Sequence, residues 1–161
     1  MSVQQITRIV ALALVTTAAA VSFVLSIGEA SVSASPRKGA LHVTKECPPS
    51  SYAGAAGDFC TITSSTLPEI GVGSKIFYDQ AANTPAGMLD SNILVVVGTG
   101  DWATGRCTLD LETYRGVCTL SDGTGPLAGV HARVDVSYVG GSTGFGFDWD
   151  GTYSFPPPGE R

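Results

Sequence analysis

The chain has 161 residues, enough for one domain, and carries a formal net charge of −5 with only 14% charged residues. No run of basic residues is longer than Arg37-Lys38, so nucleic acid and anionic membranes are not expected as partners. Glycine is abundant, at 20 residues, and this abundance suits a chain with many turns.

The first 34 residues have the pattern of a secretory signal peptide. Arg8 precedes an apolar run from Ile9 to Leu25, and small residues follow, with cleavage-like endings at Gly28-Glu29-Ala30 and Val32-Ser33-Ala34. The alternative is a retained membrane anchor, because the run is nearly long enough to span a bilayer. We predict removal of residues 1–34 as a signal peptide and a mature terminus near Ser31 or Ser35. The mature protein is then secreted and makes no membrane contact.

All four cysteines lie after this segment, and an even count in an exported chain predicts two disulfides. The sequence alone permits three pairings. We favour the nearest neighbours, which pair Cys47 with Cys60 and Cys107 with Cys118. A zinc site is the alternative, but neither spacing is the short Cys-x₂₋₄-Cys of zinc sites.

Residues 35–59 are predicted to precede the main domain as a lead-in and a disulfide loop. Ser35–Ala40 has the composition of a flexible lead-in, and Leu41–Thr44 is predicted to form a first short strand. Proline and glycine residues make Cys47–Asp58 a loop, which the first disulfide would close.

The middle of the chain alternates between strand and loop patterns. Cys60–Ser65 is β-branched and half polar, which is typical of a strand. Ser74–Gln80 alternates, with Tyr78 on its apolar face, and Ala81–Asp90 is predicted to be a loop. The continuous apolar run Ile93–Val97 predicts a strand that is covered on both faces.

The clearest hairpin joins Arg106–Leu111 to Val117–Leu120. A register that places Cys107 directly opposite Cys118 brings their side chains close enough for a bridge. The hairpin register and the second disulfide therefore support each other.

Two long alternating segments close the chain. Val130–Tyr138 and Phe145–Phe155 both alternate apolar and polar residues, and a proline run after Phe155 ends the second strand. The total of about eight short strands predicts an all-β sandwich or barrel. We place the barrel domain at residues 60–156 and a tail at 157–161. An immunoglobulin-like sandwich, with two sheets and open edges, is the weaker alternative.

Three glycine-rich stretches carry a resemblance to a known family. The sequence resembles the allene oxide cyclase barrel family, which is related to the plant dirigent proteins, and most of all its secreted bacterial branch. The resemblance covers roughly Cys60 to Phe155, and it implies an eight-stranded antiparallel barrel with an apolar central cavity, often trimeric. The stretches that carry it are Ala103-Thr104-Gly105-Arg106-Cys107, Gly123-Thr124-Gly125-Pro126-Leu127-Ala128-Gly129 and Trp149-Asp150-Gly151-Thr152-Tyr153-Ser154-Phe155.

The resemblance also implies a choice of activities. Plant allene oxide cyclases close an unstable fatty-acid epoxide into a cyclopentenone, whereas dirigent proteins hold phenoxy radicals or quinone methides while they couple. Both act mainly by shaping a bound apolar substrate. The catalytic residues of the plant cyclases do not match positions in this sequence, so no catalytic residue is assigned. No metal or cofactor is expected.

Polar residues near the end of the chain offer little catalytic chemistry. Asp148 and Asp150 share one strand face and could act as an acid/base pair if one of them is buried. Exposed carboxylates are the norm, so a solvated outer face is the alternative. Arg133 and Asp135 present the same choice. The sequence lacks a Gly-x-Ser-x-Gly elbow, so serine hydrolase activity is not expected.

Aromatic residues on the apolar strand faces are the predicted ligand contacts. Tyr78, Phe147, Trp149 and Tyr153 either wall a pocket for a small apolar molecule or simply fill the core. The first arrangement predicts a secreted binding protein, with possible cyclase-like or coupling-guide activity. The second predicts a non-catalytic extracellular module. An eight-stranded barrel can adopt either arrangement, so the volume inside the barrel distinguishes them.

Overall fold

The computed structural model describes residues 37–98 and 100–157. Eight antiparallel strands follow one another around a closed barrel, in which the last strand pairs with the first. The predicted signal peptide at 1–34 and residues 158–161 of the predicted tail lie outside the described residues. The strands are β1 (Arg37–Cys47), β2 (Phe59–Ser65), β3 (Lys75–Tyr78), β4 (Met88–Val96), β5 (Trp102–Asp110), β6 (Arg115–Gly123), β7 (His131–Tyr138) and β8 (Phe145–Phe155), with a 3₁₀ turn at Gly125–Leu127.

The predicted all-β, eight-stranded antiparallel barrel is confirmed. Closure between β1 and β8 leaves no free sheet edge in this ring, so the alternative of an immunoglobulin-like sandwich is wrong. The alternation within strands also holds, because every second residue faces the interior. On β7, for example, Val134 and Val136 are buried while Arg133 and Asp135 are exposed.

The barrel begins earlier than the sequence pattern indicates. The predicted strand Leu41–Thr44 is part of the longer β1, which pairs along its whole length with β8. The barrel therefore starts at Arg37, and the segment predicted to precede it supplies the first strand. The pattern was obscured by Lys45, a charged residue at a position that faces the interior.

Strand β4 also differs from its prediction. It starts at Met88, inside the segment predicted to be a loop, and pairs with β5 from its first residue. Its residues alternate instead of being buried on both faces: Ile93 and Val95 lie in the interior, whereas Leu94 is only half-buried. A single-layered barrel has no second layer to cover the outer face of this strand.

Both predicted disulfides are present. Cys47 is bonded to Cys60, with a Cα–Cα distance of 4.3 Å, and Cys107 is bonded to Cys118, with a Cα–Cα distance of 4.1 Å. Cys107 lies directly opposite Cys118 in the β5–β6 ladder, as the hairpin register predicts. These bonds leave no cysteine thiolate for the alternative zinc site.

The two ends of the barrel differ. The β2–β3 and β6–β7 connections bury apolar side chains at one end, which we call the closed end, and these are Leu67, Ile70, Leu127 and Val130. The opposite end, which we call the open end, carries the connections that follow β1, β3, β5 and β7. This asymmetry places the accessible interior of the barrel at the open end.

Candidate functional site

A cavity of about 400 Å³ lies inside the barrel at its open end. Its walls are interior side chains of the strands, and residues of the open-end connections surround its mouth. Apolar groups dominate the lining, which is typical of small-molecule sites. The deeper lining includes Cys47, Cys60, Tyr78, Leu89, Cys107, Leu109, Cys118, Val136 and Phe147.

The two disulfides form part of this lining. One connects β1 to β2 and the other connects β5 to β6, on opposite sides of the eight-stranded ring. Each bridge joins neighbouring strands at the level of the cavity. The covalent links therefore fix the cavity walls, and disulfide sulfur adds to their apolar character.

A buried lysine interrupts the apolar lining. Lys45 lies on β1, its residue is only 4% exposed, and it lines the cavity. Its Nζ donates a hydrogen bond to Tyr78 Oη. The same Nζ lies 5.2 Å from the centroid of the Tyr78 ring, 5.6 Å from that of Phe147 and 4.8 Å from that of Trp149. Three aromatic rings therefore surround the amine, in a range that suits cation–π attraction.

Burial alters the protonation of this lysine. Desolvation lowers the pKa of Lys45 to about 7, because the charged ammonium is disfavoured away from water. Among the described residues, the ion pairs join other side chains, and no carboxylate forms an ion pair with Lys45. Burial also raises the pKa of Tyr78, with a smaller contribution from the neighbouring Tyr52. Near pH 7, the Lys45 amine is therefore close to the pH at which it loses its proton, whereas the neighbouring Tyr78 phenol stays neutral.

The β1–β2 connection covers part of the cavity. Tyr52 on this connection packs edge-on against Tyr78, with 5.4 Å between ring centroids. The carboxylate of Asp58 accepts hydrogen bonds from the backbone amides of Ala53 at 2.7 Å and Ala55 at 2.8 Å. These bonds lower the pKa of Asp58 and hold the connection in place over the cavity.

Aromatic side chains surround the mouth. Tyr114, Tyr138 and Phe145, which we call the aromatic rim, have ring centroids 5.6–6.1 Å apart. Tyr138 is 46% exposed and Phe145 is 45% exposed. The rim joins the cavity lining through Phe147, whose ring is 5.7 Å from that of Tyr138. An apolar path therefore leads from the surface to the buried lysine.

The structure brings together only some of the predicted ligand contacts. Tyr78 and Phe147 line the cavity, and Trp149 is fully buried behind Lys45. Tyr153 lies near the closed end, where it packs beside Gly39 and Phe155, so it does not contribute to this cavity. Alternation indicates which face of a strand a residue occupies, but it does not indicate how far along the barrel axis the residue lies. Six residues of strand separate Phe147 from Tyr153 by about 20 Å.

The predicted acid/base candidates lie outside the barrel. Asp148 is half-buried and Asp150 is exposed on the outer face of β8. Asp150 accepts a hydrogen bond from His42 at 2.5 Å, and this bond raises the pKa of the exposed imidazole. Arg133 and Asp135 are likewise exposed. These groups form a solvated outer face, as the alternative interpretation held.

Lys45 is the central polar residue of the cavity, and sequence reasoning missed it. A signal for it exists, because Leu41, Val43, Lys45 and Cys47 occupy alternate positions of one strand. Extending the predicted strand by three residues would have placed the lysine on the interior face.

None of the helices among the described residues has the length and apolar character needed to cross a membrane.

The barrel is similar to that of the pterocarpan synthase dirigent protein. The TM-score is 0.46 and the sequence identity is 13%, over 78% of this chain and 88% of that chain. A similarity at this level carries no argument about ligand or activity. No family model matches the sequence. No curated protein matches it significantly.

Proposed function

We propose that this protein binds a small apolar molecule in the open-end cavity and holds one polar group of that molecule against Lys45 and Tyr78. The observation that carries the proposal is the cavity of about 400 Å³ with this buried pair in its wall. Small-molecule sites span roughly 300–1,000 Å³ and combine apolar walls with a few convergent polar groups. The cavity has both properties.

The alternative, a structural module with a filled barrel, accounts less well for the interior. A filled barrel would have no space beside Lys45, and stability alone would favour an apolar residue at this position. A buried ammonium without a carboxylate partner is destabilising. Such a residue is best explained by a ligand that uses it.

Export forms part of the proposal. Two disulfides support an oxidising compartment, and the amino-terminal pattern predicts a cleaved signal peptide. A cyclase-like or dirigent-like reaction, suggested by the sequence resemblance, would use the same apolar cavity to shape its substrate. The homotrimer implied by that resemblance is a further prediction.

Fluorescence of Trp149 tests the proposed binding. Replacing Trp102, which lies near the closed end, by phenylalanine leaves Trp149 as the reporter. Titration with para-isopropylphenol or decanoic acid is expected to change its emission saturably, because its ring lies 4.8 Å from Lys45 Nζ. Tyr78→Phe should weaken binding several-fold, because it removes one polar contact and leaves the ring.

Two variants are matched controls for this titration. Tyr153→Phe removes a tyrosine hydroxyl from the same strand as Phe147 but away from the cavity, and Asp148→Asn changes a group on the outer face. Both should bind as the parent protein does. Failure of every fatty-acid-like and phenolic compound to saturate the signal would refute the proposed function.

A further inference from the structure

We propose, on the basis of the ligand-binding function above, that the ligand is an apolar aldehyde or ketone and that Lys45 forms an imine with its carbonyl carbon. The geometry points to this chemistry because a lysine amine lines an apolar cavity, adjoins a tyrosine hydroxyl and is surrounded by three aromatic rings. Carbonyl compounds are the substrates that amine nucleophiles of this kind capture.

The reacting amine must be neutral and accessible to a carbonyl group. Lys45 meets the first condition because burial lowers its pKa to about 7, so about half of the amine is neutral near that pH. Lys45 meets the second because its side chain lines the cavity instead of packing behind the wall. The chain's other two lysines, Lys38 and Lys75, are exposed.

The cavity contains few other groups that titrate. The described lining residues with titratable side chains are Lys45, Tyr52, Tyr78 and Tyr114. Burial raises the pKa of both Tyr52 and Tyr78, so these phenols remain neutral near pH 7. Glu46, the neighbour of Lys45 on β1, instead accepts hydrogen bonds from Ser142 and Thr143. Protonation of the amine itself therefore controls its nucleophilicity.

The reaction balances with the groups in the cavity and one proton from solvent. The Nζ lone pair attacks the carbonyl carbon, and a proton moves from the new ammonium nitrogen to the carbonyl oxygen to give a neutral carbinolamine. The carbon–oxygen bond then breaks, the hydroxyl leaves as water with a second proton supplied by solvent, and the nitrogen lone pair forms the carbon–nitrogen double bond of the protonated imine. Tyr78 Oη, which is hydrogen-bonded to Nζ, is placed to relay the proton from nitrogen to oxygen. No oxidant or reductant is required.

The aromatic rings favour the product. A protonated imine is a cation, and the rings of Tyr78, Phe147 and Trp149 lie within 5.6 Å of the nitrogen that carries it. Their faces attract such a cation where water is excluded. The same cavity that binds an apolar ligand would thus retain it covalently.

Reductive trapping tests this assignment. The full chain is incubated near pH 7 with cuminaldehyde, an apolar aromatic aldehyde, and sodium cyanoborohydride, and modified peptides are identified by mass spectrometry. Lys45 should be modified at least about tenfold faster than Lys38 or Lys75, because burial keeps part of the Lys45 amine neutral and the cavity binds the aldehyde beside it. Lys45→Met, which keeps a side chain of similar length, should lose the cavity adduct.

Cuminyl alcohol separates this inference from the proposed function, because it fits the same cavity and cannot form an imine. Lys38→Met, changed at an exposed position of the same strand, should bind the alcohol as the parent protein does, measured by Trp149 fluorescence, and should still form the Lys45 adduct. If aldehyde and alcohol both bind the parent protein but Lys45 is not modified, the imine is refuted and the binding function stands. If cuminic acid binds and cuminaldehyde gives no adduct, Lys45 is an anion partner and the imine is again refuted. If none of the three compounds binds, both proposals are wrong.

Discussion

Lys45 shows how one residue connects the stability of this barrel to its proposed ligand. The amine is buried away from water with one hydrogen bond to Tyr78, so desolvation makes its charged form destabilising in the folded state despite the attraction of the surrounding rings. A neutral amine in the same place removes that penalty. The free energy of unfolding should therefore depend on pH, and replacing Lys45 should remove this dependence.

Unfolding of Lys45→Met at pH 7 and pH 9 tests this dependence. The folded-state pKa of Lys45 is lowered to about 7, whereas a lysine in an unfolded chain has a pKa of about 10.4. Between these values the unfolded state binds more protons, so the free energy of unfolding rises with pH. The parent protein should gain up to about 1.4 kcal/mol per pH unit relative to Lys45→Met in urea titrations.

Lys38→Met is the matched control, because Lys38 is exposed on the same strand. It should retain the pH dependence of the parent protein. Equal dependence in the parent protein and Lys45→Met would show that Lys45 is not held in a desolvated site.

Individual residues also mark the limit of what the sequence predicts. Alternation correctly placed Tyr78, Phe147 and Trp149 in the interior, because side-chain direction in a strand follows from sequence position alone. It could not separate Tyr153 from them, because depth along the barrel depends on the register of all the neighbouring strands. Lys45 was missed because a charged residue breaks the apolar pattern that defines a strand.

At the level of elements, paired strands and their disulfides build the cavity. The β5–β6 register was predictable because two cysteines and their flanking alternation constrain the same hairpin. The full extents of β1 and β4 were not predictable. Both strands include polar residues that interrupt the apolar pattern, and these residues are strand residues because they pair with a neighbouring strand. Pairing partners that lie far apart in sequence leave no local signal.

Removal of the Cys107–Cys118 bridge tests this element-level account. Replacing both cysteines by alanine should lower the free energy of unfolding by roughly 2–4 kcal/mol, because an unfolded chain without the bridge has more conformational entropy. Urea denaturation of the oxidised proteins measures the difference. The matched control replaces Thr108 and Val117, the adjacent cross-strand pair, by alanine. A loss no larger than in this control would mean that the bridge does not stabilise the hairpin.

At the level of the whole molecule, closure of the sheet and the difference between its ends place an accessible cavity at the open end. Buried connections containing Leu67 and Leu127 fill the closed end, whereas the connection held by Asp58 leaves a cavity at the other. The number and length of its strands predicted an all-β sandwich or barrel, and the resemblance to a barrel family favoured the closed form. The sequence could not predict which end is open, because that depends on the conformations of the connecting segments.

Calorimetric titration with para-isopropylphenol on a cavity-filling variant tests whether the open-end cavity is the binding site. Val136→Trp adds bulk to the cavity wall, and Asp135→Trp makes the same change on the exposed outer face of the same strand. We expect saturable binding by the parent protein and by Asp135→Trp, and binding at least about tenfold weaker in Val136→Trp, because the added ring occupies the volume that the ligand needs. Circular dichroism should show the same β-sheet content in all three proteins. Undiminished binding by folded Val136→Trp, or no binding by the parent protein, would contradict the account.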